Sequence, residues 1–428
     1  KKSALLAPDD SYNMSRLLGE VSQLTPNSLP VYLNVKSDNT LKNILSLIQG
    51  KSFFFFCSPS PIFSRKRKES IRDSFFSSIN SFEYKKNNFV IFGVDLQDFI
   101  FSYFNNQITN ELLRSYGADK SIKRLLNIVK PKYVFSQHSI GDSHILGEHC
   151  ILSSIPGIMV PHGTHPLHDD KLAKFAWTTH AHTMINSPYP FVALQTPRDL
   201  EFLQAQKNAS SKTIKTGPLL FALANKNDSY DNLRSKLFAK NSENRIILHA
   251  SSPRAYYSFH PLIYETFDEY IQNINDTIKA VNAIPNLFLA VRYRPSNDLS
   301  VDEFKKLLVP EKCYEVYSQG AFEDYLLASD LLVSYSSTTI EEALNNNIPV
   351  LQYDPEGKYE HFPGQVLSVN ENSNYLSSIY SVRNSDDLNP ALYWWSKKHL
   401  KSDNAKIFSE SKLYLRDSNL SWLDQLKK

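Results

Sequence analysis

Four small hydroxyl residues, Ser336, Ser337, Thr338 and Thr339, stand in a row between the strand-like run LLVSYSS (331–337) and a helical pattern over 338–345. Hydroxyls at that position can cap a helix. They also leave backbone N–H groups at the positive end of the helix dipole, which suits a phosphate or diphosphate. Glu341 and Glu342 follow in the first turn, where a carboxylate can accept from both hydroxyls of a ribose. Arg292 and Arg294 alternate with Val291 and Tyr293 in NLFLAVRYRP (286–295), which predicts both guanidinium groups on one face of a strand. Paired arginines suit bidentate contacts with phosphate or carboxylate. Arg254, just past RIILHAS (245–251), is a third candidate on the same logic.

A second set could move protons. His162 follows the run GIMVPHG (157–163) and precedes a glycine, on a tight loop that it shares with His165. Histidine titrates in the range a general base needs. Asp142 lies in the cluster QHSIGDSH (137–144), after another strand-like run, where it could orient a histidine, act as base, or serve as nucleophile. Asp95, at the end of NFVIFGVD (88–95), is a rival carboxylate. His168, His180 and His182 add to the histidine count, yet their spacing matches no zinc pattern and no cysteine is near, so no metal is expected.

These residues need a scaffold of alternating strands and helices. SFFFFCS (52–58), NFVIFGVD, KYVFSQH (132–138) and GIMVPHG read as strands in the first half, with a helical pattern over 96–116. RIILHAS, NLFLAVRYRP, CYEVYS (313–318), LLVSYSS and IPVLQYD (348–354) read as strands in the second, with a long helix over 263–283. Such alternation predicts βαβ units and parallel sheets, whose ligands bind beyond the carboxyl ends of the strands. At 428 residues the chain is too long for one ordinary core. The polar stretch after Pro218 reads as a linker. We therefore expect a first domain over 1–215, a second over 216–385, and a helical segment over 386–428. Trp394, Trp395 and Trp422 would pack that segment down.

Composition narrows the classes. A net charge of +3 gives no reason to expect nucleic acid as partner. Cys57, Cys150 and Cys313 lie far apart, so a disulfide framework is not expected and a reducing cytoplasm fits. No signal pattern is evident, and no apolar run nears the roughly 20 residues of a membrane span. The basic cluster SRKRKES (64–70) reads first as a solvated surface, and second as a contact for anionic head groups. Abundant Asn, Lys, Ser, Phe and Tyr with few Gly point to an AT-rich bacterial coding sequence.

The run from the hydroxyl loop through Glu342-Ala343-Leu344 to Pro349-Val350 resembles the donor half of GT-B glycosyltransferases. That resemblance implies two Rossmann-like domains facing across a cleft, an N-terminal acceptor and catalytic domain over 1–215 and a nucleotide-donor domain over 216–385, with Glu342 on the donor ribose. A narrower resemblance is to the CDP-glycerol glycerophosphotransferase-like group. It rests on Asp330, Tyr335-Ser336-Ser337, Tyr353-Asp354 with Tyr359, Pro161-His162-Gly163-Thr164, and the strand end from Leu248 to Arg254. Ser334, Arg294-Pro295 and Pro161 depart from that group's pattern, and leave room for a sugar donor such as a CMP-activated ulosonic acid of Kdo or sialic acid type.

The resemblance thus implies a metal-independent glycosyltransferase with no cofactor beyond its nucleotide-sugar substrate. It would act on a bacterial surface polysaccharide or a lipid-linked glycan, such as lipopolysaccharide or capsule, and a lipid-linked acceptor would bring it to the cytoplasmic face of the inner membrane. A CDP-polyol (glycerol or ribitol) phosphotransferase and a nucleotide-sugar epimerase of the same fold are the alternatives. His162 would be the base, and Ser337 to Thr339, Glu342, Arg294 and His162 would line one interdomain cleft.

Overall fold

The computed structural model describes residues 3–9, 11–25, 27–34, 53–54, 65–80, 90–91, 94–206, 211–221, 230–251, 263–294, 299–411, 413–414 and 422–427. Its residues form two Rossmann-like α/β units, each built on a parallel sheet. The first unit comprises Lys1–Met159, Ser187–Val192 and Ser210–Lys212; the second comprises Val160–Asn186, Ala193–Ala209 and Thr213–Lys428. His162 and His165, early in the chain, therefore belong with the C-terminal sheet.

In the first sheet the order is β3-β2-β1-β6-β7-β8-β9, with β1 Ser3–Asp9, β2 Ser28–Asn34, β3 Phe53–Phe54, β6 Tyr133–Ser136, β7 Gly157–Met159, β8 Phe191–Leu194 and β9 Lys212–Lys215. The expected strand over 88–95 is instead a short antiparallel pair, β4 Val90–Ile91 with β5 Val94–Asp95, apart from that sheet. Helices α1 Tyr12–Leu24, α2 Arg65–Asn80, α3 Gln97–Val129 and α4 Asp142–Leu152 follow their strands. The helix expected over 96–116 runs on to Val129, where Lys130 in a left-handed conformation ends it. The basic cluster opens α2, with Lys66 and Glu69 exposed.

The second sheet has the order β12-β11-β10-β13-β14-β16-β15. Its strands are β10 Arg245–His249, β11 Leu287–Arg292, β12 Tyr314–Tyr317, β13 Leu331–Ser334, β14 Val350–Tyr353, β15 Gln365–Val366 and β16 Ile379–Val382. Alternate residues of β10 face opposite cores, as the pleat requires. Ile247 joins Leu289, Val333 and Leu351 beneath the helix Phe267–Asn282, whose Tyr270, Ile274, Ile278 and Val281 recur at helical spacing. Ile246 and Leu248 point the other way, toward Ile340, Ala343 and Leu344 of the helix Thr339–Asn345.

In chain order the helices of this unit are α5 Lys171–Ala181, α6 Pro197–Ala205, α7 Tyr230–Phe238, α8 Phe267–Asn282, α9 Val301–Lys306, α10 Phe322–Leu327, α11 Thr339–Asn345, α12 Ser385–Lys398 and α13 Asn404–Glu410. The helix expected from 263 begins at Phe267, because Thr266 and Glu269 close a capping box there. The tail packs down as its tryptophans suggest. Trp395 of α12 is fully buried in the α8 core, and the Arg245 guanidinium lies 3.8 Å from its ring centroid. Buried Cys150 has its thiol pushed up to about 12 by burial, and Cys313 is held at about 11 by the same cause, so neither is a ready nucleophile. Among the described residues no helix is long and apolar enough to cross a membrane.

Candidate functional site

Small hydroxyls fasten the carboxyl end of β13 to the end of β10. Ser334 Oγ and Thr339 Oγ1 both donate to the Ala250 carbonyl, at 2.8 and 2.7 Å. Tyr335 N donates to Ser251 Oγ at 3.0 Å, and the Tyr335 hydroxyl donates to Ile263 O. Thr339 thus binds a neighbouring strand and takes no part in capping; the cap residue Thr338 makes no side-chain bond to the helix, and only a long 3.4 Å contact from Thr339 N reaches Ser337 Oγ. The expected cap is weak. The loop is shaped by the sheet edge, and Ser336, Ser337 and Thr338 line a cavity of about 160 Å³ with His162, His165 and His180.

The His162 loop reaches this cavity through Gly163, at φ +86°. A Cβ there would lie 3.3 Å from the Thr338 methyl, so a side chain would meet both backbone strain and crowding. Thr164 N then donates to Glu341 Oε1 at 2.8 Å, and His361 Nε2 stands 2.7 Å from the same oxygen. Glu341 has no exposed surface and His361 is 2% exposed. Burial alone would raise the Glu341 carboxyl, but the His361 charge and the bonds from His361 and Thr164 outweigh it and hold the group below its ordinary value. One buried carboxylate thereby ties together three segments that are far apart in sequence.

His165 is held differently. Its backbone N and its Nδ1 both face Asp199 Oδ1, at 3.1 and 3.2 Å. Asp199 Oδ2 accepts from Thr196 N and Oγ1, closing the capping box of α6. Both partners are buried. A ring nitrogen opposite a carboxylate is a donor, so Nδ1 serves Asp199 and Nε2 is the ring nitrogen left for other partners of a residue that lines the cavity. The cavity wall is aromatic: Trp177, Tyr264 and Tyr359 stand with ring centroids 5.8 to 6.0 Å apart, and the His180 ring lies 5.3 Å from Trp177. His168 packs edge-on to Trp177, and His182 pairs with Asn186 near the surface.

The other sequence candidates lie elsewhere. Arg292 donates to the carbonyls of Tyr317 and Gly320, at 3.0 and 2.7 Å, and its guanidinium lies 5.1 Å from the Tyr325 ring centroid. β11 ends at Arg292, so the expected pair on one strand face is not formed: Arg294 is exposed beyond the strand, and both arginines stand outside the cavity lining. Glu342 is half-buried beside the cavity helix and also outside the lining. Arg254 falls outside the described residues. Asp142 opens α4 in the first unit, 4.0 Å from Arg114, and Asp95 is exposed on β5.

Sequence reading missed three residues: Asp199, His361 and Asp9. Asp199 was signalled only by the Thr-Pro-Arg-Asp capping box, and His361 by nothing local. Asp9 ends β1 beside β6. Its Oδ2 lies 3.5 Å from His138 Nε2, and its Oδ1 accepts from Ser11 N. Burial pushes its carboxyl up, but the His138 and Ser11 bonds prevail and lower it. Among the described residues no group of three or more His, Cys, Asp or Glu is placed to hold a metal.

No family model matches the chain, and no curated protein matches it by sequence. Solved structures do match it. S. aureus MnaA in a co-structure with UDP aligns at 12% identity over 99% of this chain and 94% of that one, with a TM-score of 0.54. UDP-GlcNAc 2-epimerase from Neisseria meningitidis, bound to UDP-GlcNAc, aligns at 12% identity over 95% and 94%, with a TM-score of 0.50. Sucrose-phosphate synthase from Thermosynechococcus elongatus aligns at 10% identity over 100% and 94%, with a TM-score of 0.52. The likeness extends over nearly the whole of each chain and is one of fold, which is the two-domain GT-B arrangement of Rossmann-like units. The CDP-glycerol resemblance finds no counterpart among these neighbours.

Proposed function

We propose that the chain is a nucleotide-sugar enzyme of GT-B fold, acting on a UDP-sugar and, in the first reading, epimerising it. One observation carries this. The hydroxyls of Ser336, Ser337 and Thr338, exposed His162 and the carboxylate-held His165 line one cavity beyond the carboxyl end of β13. Strand ends of this kind are where open α/β sheets bind ligands. In this reading the hydroxyl loop takes the phosphates, and the wall of Trp177, Tyr264 and Tyr359 excludes water. His165 accepts a proton at Nε2 while Asp199 fixes the ring, and His162 is the second acid–base candidate.

Likeness to proteins solved with UDP and UDP-GlcNAc supports the uridine donor over the cytidine one. A CMP-ulosonic acid would call for arginines in the cavity, and the described arginines Arg292 and Arg294 are not there. A glycosyltransferase is the second reading, favoured by likeness to sucrose-phosphate synthase. Under it, the same histidines would take the proton of an acceptor hydroxyl.

Incubation with UDP-GlcNAc alone, in D2O, tests the order of these readings by proton NMR. New sugar signals with deuterium at the inverted carbon are expected. Binding of UDP without turnover would transfer the case to the glycosyltransferase. A ligand at 100 times its Kd adds about 2.7 kcal/mol of stability, so absence of any melting shift with UDP or UDP-sugars at such concentrations would overturn the nucleotide reading altogether.

A further inference from the structure

A second and larger cavity, about 410 Å³, lies in the same unit beyond the carboxyl ends of β14 and β16. That volume falls within the roughly 300–1,000 Å³ of small-molecule pockets. Its cations are already engaged. Lys358 pairs with Glu269, and Arg383 donates to Glu360 at 2.8 Å. Arg198 holds the other oxygen of Glu360 at 3.1 Å. Asp170 caps α5 by accepting from Leu172 N and Ala173 N. An anion entering here would find no uncommitted positive group among these.

What remains is a set of acceptors. Asp354 lines the cavity, is 7% exposed, and accepts from Tyr359 N through Oδ2 at 2.7 Å. Its Oδ1 meets no partner at hydrogen-bond geometry among the described residues, and burial raises the carboxyl despite the nearby backbone N–H groups of Tyr359, Lys358 and Gly357 and the Lys358 charge. A buried carboxylate oxygen left so is costly, and a ligand donor would remove that cost. His168 also lines the cavity and its Nε2 likewise has no hydrogen-bond partner among the described residues. Burial, and then the nearby Arg198 charge, depress the His168 imidazole and favour its neutral form. Tyr359 adds an aromatic face, and it lines the nucleotide cavity as well.

We infer that this cavity is a saccharide subsite, in which Asp354 and His168 take the hydroxyls of a neutral, donor-rich sugar unit next to the nucleotide cavity. The choice of a saccharide among donor-rich ligands rests on the nucleotide-sugar reading; the chemistry of the cavity does not.

The test is ligand-observed NMR titration of the full chain with methyl glycosides of glucose and N-acetylglucosamine, with and without saturating UDP, and with UDP titrated separately. Two variants accompany the wild type. Asp354→Asn keeps the shape and the acceptor to Tyr359 N. His168→Phe keeps the ring packing on Trp177 and Tyr359 but removes Nε2, and decides the matter if the first variant fails to fold. Saccharide binding that weakens about ten- to a hundredfold in the variants, with UDP affinity unchanged, is expected for loss of a hydrogen bond to a charged or buried partner. Saccharide affinity equal in all three proteins, or no saccharide binding in any, overturns the subsite. Saccharide binding that obeys the variants while UDP fails to bind would leave the subsite standing and remove the nucleotide reading.

Discussion

The strand ends of the two units hold their ionisable groups in opposite ways. In the second unit Glu341, His361, His165 and Asp199 are buried, and the Glu341–His361 and His165–Asp199 pairs stand 2.7 and 3.2 Å apart. In the first, the His138 and Asp9 side chains are 34% and 28% exposed and 3.5 Å apart, and Asp142 stands 4.0 Å from a largely exposed Arg114. Water screens the second kind of pair and competes with it. Burial makes the first kind rigid and intolerant of losing one member. The difference teaches where preorganisation lies: the candidate site is the one at the C-terminal sheet, where buried pairs hold the side chains in place.

The largest effect we expect is on turnover. His165→Gln should lower the rate by roughly two to four orders of magnitude, the range for removing a general acid–base group, with UDP affinity retained. His144→Gln, in the first turn of α4 in the first unit, should leave turnover unchanged. Steady-state kinetics of both variants checks this, and equal losses would break the comparison. Next comes stability. Glu341→Ala leaves His361 buried without its partner and should cost about 3–5 kcal/mol by urea denaturation. Asp9→Asn should cost about 1 kcal/mol or less, since that pair is partly exposed.

A pH effect of similar kind follows from His249, buried at the end of β10. Burial lowers its imidazole from 6.5 to about 4. The unfolded chain therefore binds a proton that the folded chain refuses, so stability falls as pH drops from 6.5 toward 4, by about 3 kcal/mol at 1.36 kcal/mol per unit. His249→Phe should flatten that window in pH-dependent denaturation. Glu341, depressed from 4.5, contributes stability that is full above that value and is lost only as pH falls through its lower folded value. The smallest effect is at Asp142→Asn, which should shift the unfolding free energy by less than about 1 kcal/mol. A larger loss would place a rigid group in the first unit after all.

Local patterns carried far into this molecule and stopped at its long-range contacts. The loop Ser336–Thr339, its flanking strand and its helix were legible because strand, hydroxyls and helix follow one another within fifteen residues. β1 and β2 were not, because they are short runs without period-two alternation and each is interrupted by a proline, Pro8 and Pro30. Both histidines of the His-Gly-Thr loop were visible, but choosing between them needs Asp199, 34 residues later. Glu341 and Glu342 are adjacent in sequence, yet Glu341 is fully buried against Thr164 and His361 while Glu342 is half-buried, a difference set by what the fold brings across from them. Arg292 looked like an anion ligand because nothing in its strand announces the carbonyls of Tyr317 and Gly320 that engage it. Fold class follows from periodicity, whereas a side chain's partner is a property of the assembled chain.

Neither unit is a single stretch of polypeptide. The chain passes from one to the other at Met159, Asn186, Val192, Ala209 and Lys212. A ribosome making this protein releases the residues of the first unit in three instalments, and the last of them emerges only after residue 212. The His162 segment, made midway, must then wait for β13 and α11, more than 160 residues downstream, before Glu341 can receive it. Synthesis and folding cannot keep pace domain by domain here. A nascent chain would carry an incomplete sheet for much of its time on the ribosome, and a break anywhere between the first and last of those five passages would leave two fragments, neither holding a complete unit.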